Sequence, residues 1–187
     1  MKFPPTDRGF GFYLSVVIAQ RRFDDAEKMI VAALASSDLP PVFTAVGHSA
    51  LANLRIAKGD RAGAQPLLLQ AEGELNQLRS AGDNGLFLRD TLLELEAQLG
   101  HRDEVQRLAD SNLETMKKDA WQFPREEEQV ARAYVILGQL DRALPLLEDA
   151  LSAPCVEALT PAFLRLDPIW DSVRSDPRFQ KLANPTL

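Results

Sequence analysis

The side chains in this chain that could do acid–base, nucleophilic or metal chemistry are few and scattered. Its two histidines, His48 and His101, lie far apart, and no spacing between them and the single cysteine suits a structural zinc site. Cys155 follows Pro154, with no basic or histidine neighbour in sequence to lower its thiol pKa, so it reads as a small apolar residue rather than a nucleophile. One cysteine also excludes an intramolecular disulfide framework and fits a reduced compartment. The carboxylates offer two clusters. Glu126, Glu127 and Glu128 follow Pro124, and Asp167, Asp171 and Asp176 sit near the carboxyl terminus. The second set has no convergent His or Glu. Two of its members precede proline, where an Asp caps a helix and the Pro takes the first helical position. The expectation is no catalytic residue, no cofactor and no metal, with a carboxylate-dependent hydrolase on Asp167, Asp171 or the glutamate triplet as the remote alternative.

The elements that would hold these residues are helical. Leu and Ala dominate, and no run of Val, Ile and Thr alternates with polar residues. At 187 residues, 45% hydrophobic and 26% charged, the chain is long enough for one ordinary domain and excludes disorder or collagen. The net charge of −6 argues against a phosphate-dominated nucleic-acid binder. The apolar stretch from Phe12 to Ala19 is too short to span a bilayer and follows the opening Met1-Lys2-Phe3-Pro4-Pro5, so a cytoplasmic location is expected.

Apolar residues at helical spacing (Leu51, Leu54, Ile56; Leu88, Leu92, Leu95, Leu99; Val130, Tyr134, Leu137) each lead into a short polar break and a second helical segment. The breaks begin at Arg21, Gly59, Gly100 and Gly138, and a residue five positions on (Ala26, Ala64, Val105, Ala143) opens a common packing stripe. Measured at that residue the periods are 38, 41 and 38. Recurrence in this range signals stacked helix pairs. The linkers Asp38-Leu39-Pro40-Pro41 and Ala81-Gly82-Asp83-Asn84-Gly85 carry turn chemistry. In Phe123-Pro124-Arg125-Glu126-Glu127-Glu128, proline opens a helix whose first turn takes the three carboxylates.

This pattern resembles the tetratricopeptide (TPR) repeat. The fourth unit carries Ala131, Tyr134, Gly138, Ala143, Leu147 and Ala150, and the second carries Leu51, Ala52, Gly59, Ala64, Leu68 and Ala71. The first and third depart from it: Arg21 stands where Gly is expected, Val105 replaces the small Ala, and Asn112 takes a small apolar position. The resemblance implies an all-α, right-handed solenoid of about four TPR-like pairs over residues 7–36, 40–79, 83–118 and 123–153. Residues 154–187 would form a short helical cap.

For that cap, Leu166, Ile169, Trp170 and Val173 are expected on one apolar face of two short helices opened by Asp167-Pro168 and Asp176-Pro177, with Phe179 and Leu182 continuing it. The fourth repeat followed by Leu164-Arg165-Leu166-Asp167-Pro168 and Asp176-Pro177-Arg178-Phe179 looks like the end of TPR regions in bacterial multidomain signalling proteins. There the region accompanies a kinase, winged-helix or cyclase domain.

The family holds peptides or partner helices on the concave surface lined by the first helix of each pair. Carrying those positions over gives Arg8 and Ser15, Ser49 and Asn53, Phe87, Asp90 and Glu94, then Arg125, Glu128 and Arg132. Among them Asn53, Phe87, Asp90, Glu94, Arg125, Glu128 and Arg132 are the candidate partner-binding residues. Asn53 is the one echo of a carboxylate clamp, so a chaperone-tail ligand is not expected. The expected function is a non-enzymatic scaffold or regulatory module binding a peptide or protein, with homodimerisation as the alternative.

Overall fold

The computed structural model describes residues 6, 8–155 and 158–185, with the side chain of residue 8 outside that set, as are residues 1–5. Among the described residues there is no strand. Eight longer helices come first: α1 (Arg8–Ala19), α2 (Phe23–Leu34), α3 (Pro41–Ala57), α4 (Arg61–Ser80), α5 (Leu86–Leu99), α6 (Arg102–Met116), α7 (Phe123–Ile136) and α8 (Leu140–Ser152). Then follow α9 (Pro161–Leu166), a 3-10 helix (Pro168–Val173) and α10 (Pro177–Ala183). No described helix is long and apolar enough to cross a membrane. The chain forms two compact units that divide within α5, one up to Leu95 and one from Glu96.

The four breaks aligned in the sequence end their helices in one way. Arg21, Gly59, Gly100 and Gly138 all take the left-handed conformation, with φ of 60°, 84°, 82° and 71°. Each donates its own N–H to the carbonyl three residues back: Arg21 to Ile18 at 2.8 Å, Gly59 to Ile56 at 2.9 Å, Gly100 to Ala97 at 3.1 Å and Gly138 to Val135 at 3.0 Å. The following residue reaches the carbonyl five back, as Asp60 does to Arg55 at 2.8 Å and Gln139 to Tyr134 at 2.8 Å. This paired bonding closes the orphan carbonyls of a helix end in the Schellman manner. Glycine adopts the conformation freely, whereas Arg21 holds it against the clash of its Cβ.

Five residues beyond each break, Ala26, Ala64, Val105 and Ala143 are fully buried. Ile30, Ala33, Leu68, Ala71, Ala109, Leu147 and Ala150 continue the buried stripe. In the first unit α1 packs on α2, α2 on α3 and α3 on α4. Val17, Ala26, Ile30 and Leu54 form a core there, with Leu14, Met29, Leu34 and Leu51 against it. In the second unit α6 packs on α7 and α7 on α8. Asn112 is also buried in this stripe, and its Nδ2 has no hydrogen-bond partner among the described residues.

The carboxyl-terminal segment has three short elements rather than the expected two. Each starts on a capping residue followed by proline. Thr160 accepts from Phe163 N at 3.3 Å, Asp167 from Ile169 N at 3.1 Å and Asp176 from Arg178 N at 2.8 Å. Trp170 and Phe179 are buried with ring centroids 5.9 Å apart. Leu166 does not join them: it is 53% exposed, and Leu164 takes the inward position because α9 ends at Leu166 and the chain turns into the 3-10 helix. Arg174 ties the turn by donating to the carbonyls of Leu164 at 3.1 Å and Asp167 at 2.7 Å. The segment rests on α7 through the 3-10 helix and on α8 through α10.

Candidate functional site

In the first unit three of the candidate residues, Asn53, Phe87 and Glu94, lie where α3 meets α5. Asn53 Nδ2 donates to Glu94 Oε1 at 2.6 Å, and the rings of Phe43 and Phe87 lie 5.1 Å apart, tilted by 55°. Phe43 precedes Asn53 on α3 as Phe87 precedes Glu94 on α5. The two contacts therefore run in the same sense, placing these helices side by side and parallel over this stretch. Phe87 is 46% exposed while Asn53 and Glu94 are half-buried. Ser49 and Asp90, at 3% and 8% exposure, lie inside and present no group to solvent. Ser15 turns its hydroxyl onto the Phe12 carbonyl at 2.8 Å. The side chain of Arg8 lies outside the described residues. Phe43 is outside the positions that the repeat resemblance supplies, and its one trace in the sequence is an aromatic on the first turn of α3.

In the second unit Glu128 and Arg132 are engaged with the chain's own side chains, and Arg125, half-buried on α7, has its charge close enough to act on Glu128. Arg132 Nη1 lies 3.3 Å from Glu128 Oε1 and 2.9 Å from Asp167 Oδ2, and its guanidinium sits 5.6 Å from the Trp170 ring centroid. Asp167 thus caps the 3-10 helix with one oxygen and holds Arg132 with the other. Burial raises the Glu128 pKa, opposed by the Arg132 charge and reinforced by Asp167. Only Glu126 of the acidic triplet lies in the first turn of α7. Glu126 and Glu127 are buried rather than set around a solvated helix start, because α7 begins at Phe123 and carries them onto its packed face. Burial, with the nearby charge of Asp149, pushes Glu127 up to about 7.

The remaining carboxylates pair with arginines. Asp171 meets Arg174 at 2.6 Å, and Asp176 meets Arg178 at 2.9 Å, whose hydrogen bonds hold that carboxyl down at about 2. His48 lies on α3 against Glu74, His101 is the N-cap of α6 with Nδ1 2.7 Å from Glu96, and Cys155 is buried. Comparison with protein-family models, with curated proteins and with solved structures returns no match for this chain.

Proposed function

We propose that the chain is an α-solenoid of TPR-like helix pairs acting as a protein-interaction module, with the partner held on the face where α3 and α5 run together. The observation that carries this reading is the partly exposed Phe43–Phe87 pair on the same two helices as the Asn53–Glu94 bond, two to three turns before it: an aromatic anchor and a fixed polar pair along one helix seam, residue types found at interaction hot spots. The repeated helix endings at Arg21, Gly59, Gly100 and Gly138 support the stacked-pair architecture. The resemblance places such a module at the end of a bacterial signalling protein in the cytoplasm, where it would serve as a scaffold or regulator.

Within the second unit, Arg125 is the probe at the start of α7, where its charge also acts on Glu128. Arg132 holds the carboxyl-terminal segment through Asp167, so reversing its charge would disturb folding and binding together. The test is affinity capture with the full chain, comparing the wild type with Phe87→Glu and Arg125→Glu. Loss of the same captured partner from Phe87→Glu, with circular dichroism unchanged, is the expected result. Identical capture by all three proteins would remove the face assignment.

Self-association is the second reading, favoured by α1, where Phe12, Tyr13 and Val16 are exposed on a helix with no charged residue between Gly9 and Gln20. A single-chain mass in sedimentation at the highest attainable concentration would eliminate it.

A further inference from the structure

Elsewhere in the first unit, α3 and α4 face each other through Pro41, Thr44 and His48 on one side and Gln70, Glu74 and Gln77 on the other. At the level of His48 the gap is closed by polar contacts. His48 Nδ1 is 2.8 Å from Glu74 Oε2, Gln70 Nε2 donates to Glu74 Oε1 at 3.0 Å, and the same amide nitrogen lies 3.4 Å from His48 Nε2. Nearer the start of α3 the gap opens into a cleft of about 340 Å³ lined by Leu39, Pro41, Thr44, Glu74, Gln77 and Leu78.

The lining has one charged residue, Glu74, whose carboxylate stands at the His48 end of the cleft, and no Lys or Arg. Three residues, Leu39, Pro41 and Leu78, are apolar, and Thr44 and Gln77 add a hydroxyl and an amide that can accept hydrogen bonds. Glu74 keeps 29% of its side chain exposed, accepts from Gln70 and lies 2.8 Å from His48 Nδ1, so its orientation is set before any ligand arrives. An apolar wall leading to a fixed anion matches a long aliphatic stem that ends in a cation. The two held oxygens further favour an ammonium. Each Glu74 oxygen already has one partner, which hinders the paired, in-plane approach of a guanidinium fork, whereas three tetrahedral N–H donors can be shared among Glu74, Thr44 and Gln77.

The geometry points to a lysine-accepting cleft, in which a lysine side chain of a partner polypeptide lays its methylenes on Leu39, Pro41 and Leu78 and places its ammonium on Glu74. This site is separate from the Phe87 face and stands or falls without it.

The test is an NMR titration of the isotope-labelled full chain with a blocked Gly-Lys-Gly peptide, with the norleucine and arginine versions of the same peptide alongside. Saturable shifts at the amides of Thr44, Glu74, Gln77 and Leu78 are expected. The norleucine peptide, and the Glu74→Gln protein with the lysine peptide, should each bind at least about fivefold more weakly, as befits loss of a charge-assisted hydrogen bond. Phe87→Glu should leave the titration unchanged. Equal response to lysine and norleucine peptides, arginine bound as tightly as lysine, or shifts confined to other residues would overturn the proposal. Should Glu74→Gln lose its fold, Thr44→Val and the norleucine comparison on the wild type decide the matter.

Discussion

The two units of the chain use the same helix endings but treat the corresponding face of their first helices differently. On α3 and α5, Asn53 meets Glu94, while Phe87 meets Phe43, a residue outside the repeat-derived set, and half of the Phe87 ring stays in solvent. On α7, Glu128 and Arg132 are met by the chain's own carboxyl-terminal segment through Asp167 and Trp170. A position within a helix pair therefore fixes neither exposure nor partner: Ser49 and Asp90 are buried, Asn53 and Glu94 meet each other, and Arg132 meets the carboxyl-terminal segment. What meets each residue depends on what the rest of the chain brings to it.

Truncation at the two aromatic anchors tests this contrast most severely. Trp170 is fully buried against Phe179 and below Arg132, so Trp170→Ala should cost about 3–5 kcal/mol. Phe87→Ala, at a half-exposed ring, should cost about 1 kcal/mol or less. Urea unfolding of both variants measures the difference. Similar losses would mean that the α3–α5 face is structural in the same way as the α7 face.

Titration sharpens the contrast next. Glu127, pushed up to about 7 by burial, is neutral in the folded chain at mildly acidic pH. A carboxyl whose folded pKa lies above its unfolded value stabilises the fold while both states are protonated. That contribution is present below about 4.5 and is lost as pH rises towards 7. The second unit should weaken by about 2–3 kcal/mol over that interval. Glu127→Gln should abolish the loss, making the variant more stable than the wild type at pH 8. Hydrogen exchange at α7 amides, compared with those of α3, reads the effect locally.

Much of the fold was legible because its punctuation is local. Gly59, Gly100 and Gly138, with a buried Ala or Val five positions on, mark helix ends by backbone sterics that need no knowledge of the tertiary neighbours. The caps at Asp167 and Asp176 were legible for the same reason, and Thr160-Pro161 follows the same rule though it was not read as a helix start. The face residues were less legible. Asp90 and Ser49 are inside, and Glu127 packs against the core, because the inward turn of a helix depends on neighbours distant in sequence. Trp170 was expected to anchor the cap, but its pairing with Arg132 joins residues 38 positions apart and leaves no periodic trace.

Asn112 gives a smaller test confined to the second unit. Its Nδ2 is buried without a partner among the described residues, at a stripe position where the first, second and fourth pairs carry Ala33, Ala71 and Ala150. Asn112→Ala removes the unsatisfied donor and should raise stability by about 1–2 kcal/mol in urea unfolding. A loss instead would show that the amide is satisfied by solvent or holds its neighbours in place.

The smallest expected effect compares the helix ends themselves. Arg21 and Gly138 occupy the same left-handed position and make the same backbone bonds, so they differ mainly in the cost of a Cβ. Gly138→Ala should lose about 1 kcal/mol and Arg21→Gly should gain about as much, less whatever the more flexible unfolded chain takes back. The arginine side chain moderates the gain through its own contacts. Arg21→Asn separates the two contributions, because Asn tolerates this conformation better than Arg while restoring less freedom to the unfolded chain than Gly. If Arg21→Gly and Arg21→Asn both lose stability, the side-chain contacts outweigh the backbone strain. The first helix end would then be held by interactions that the three glycine ends do without.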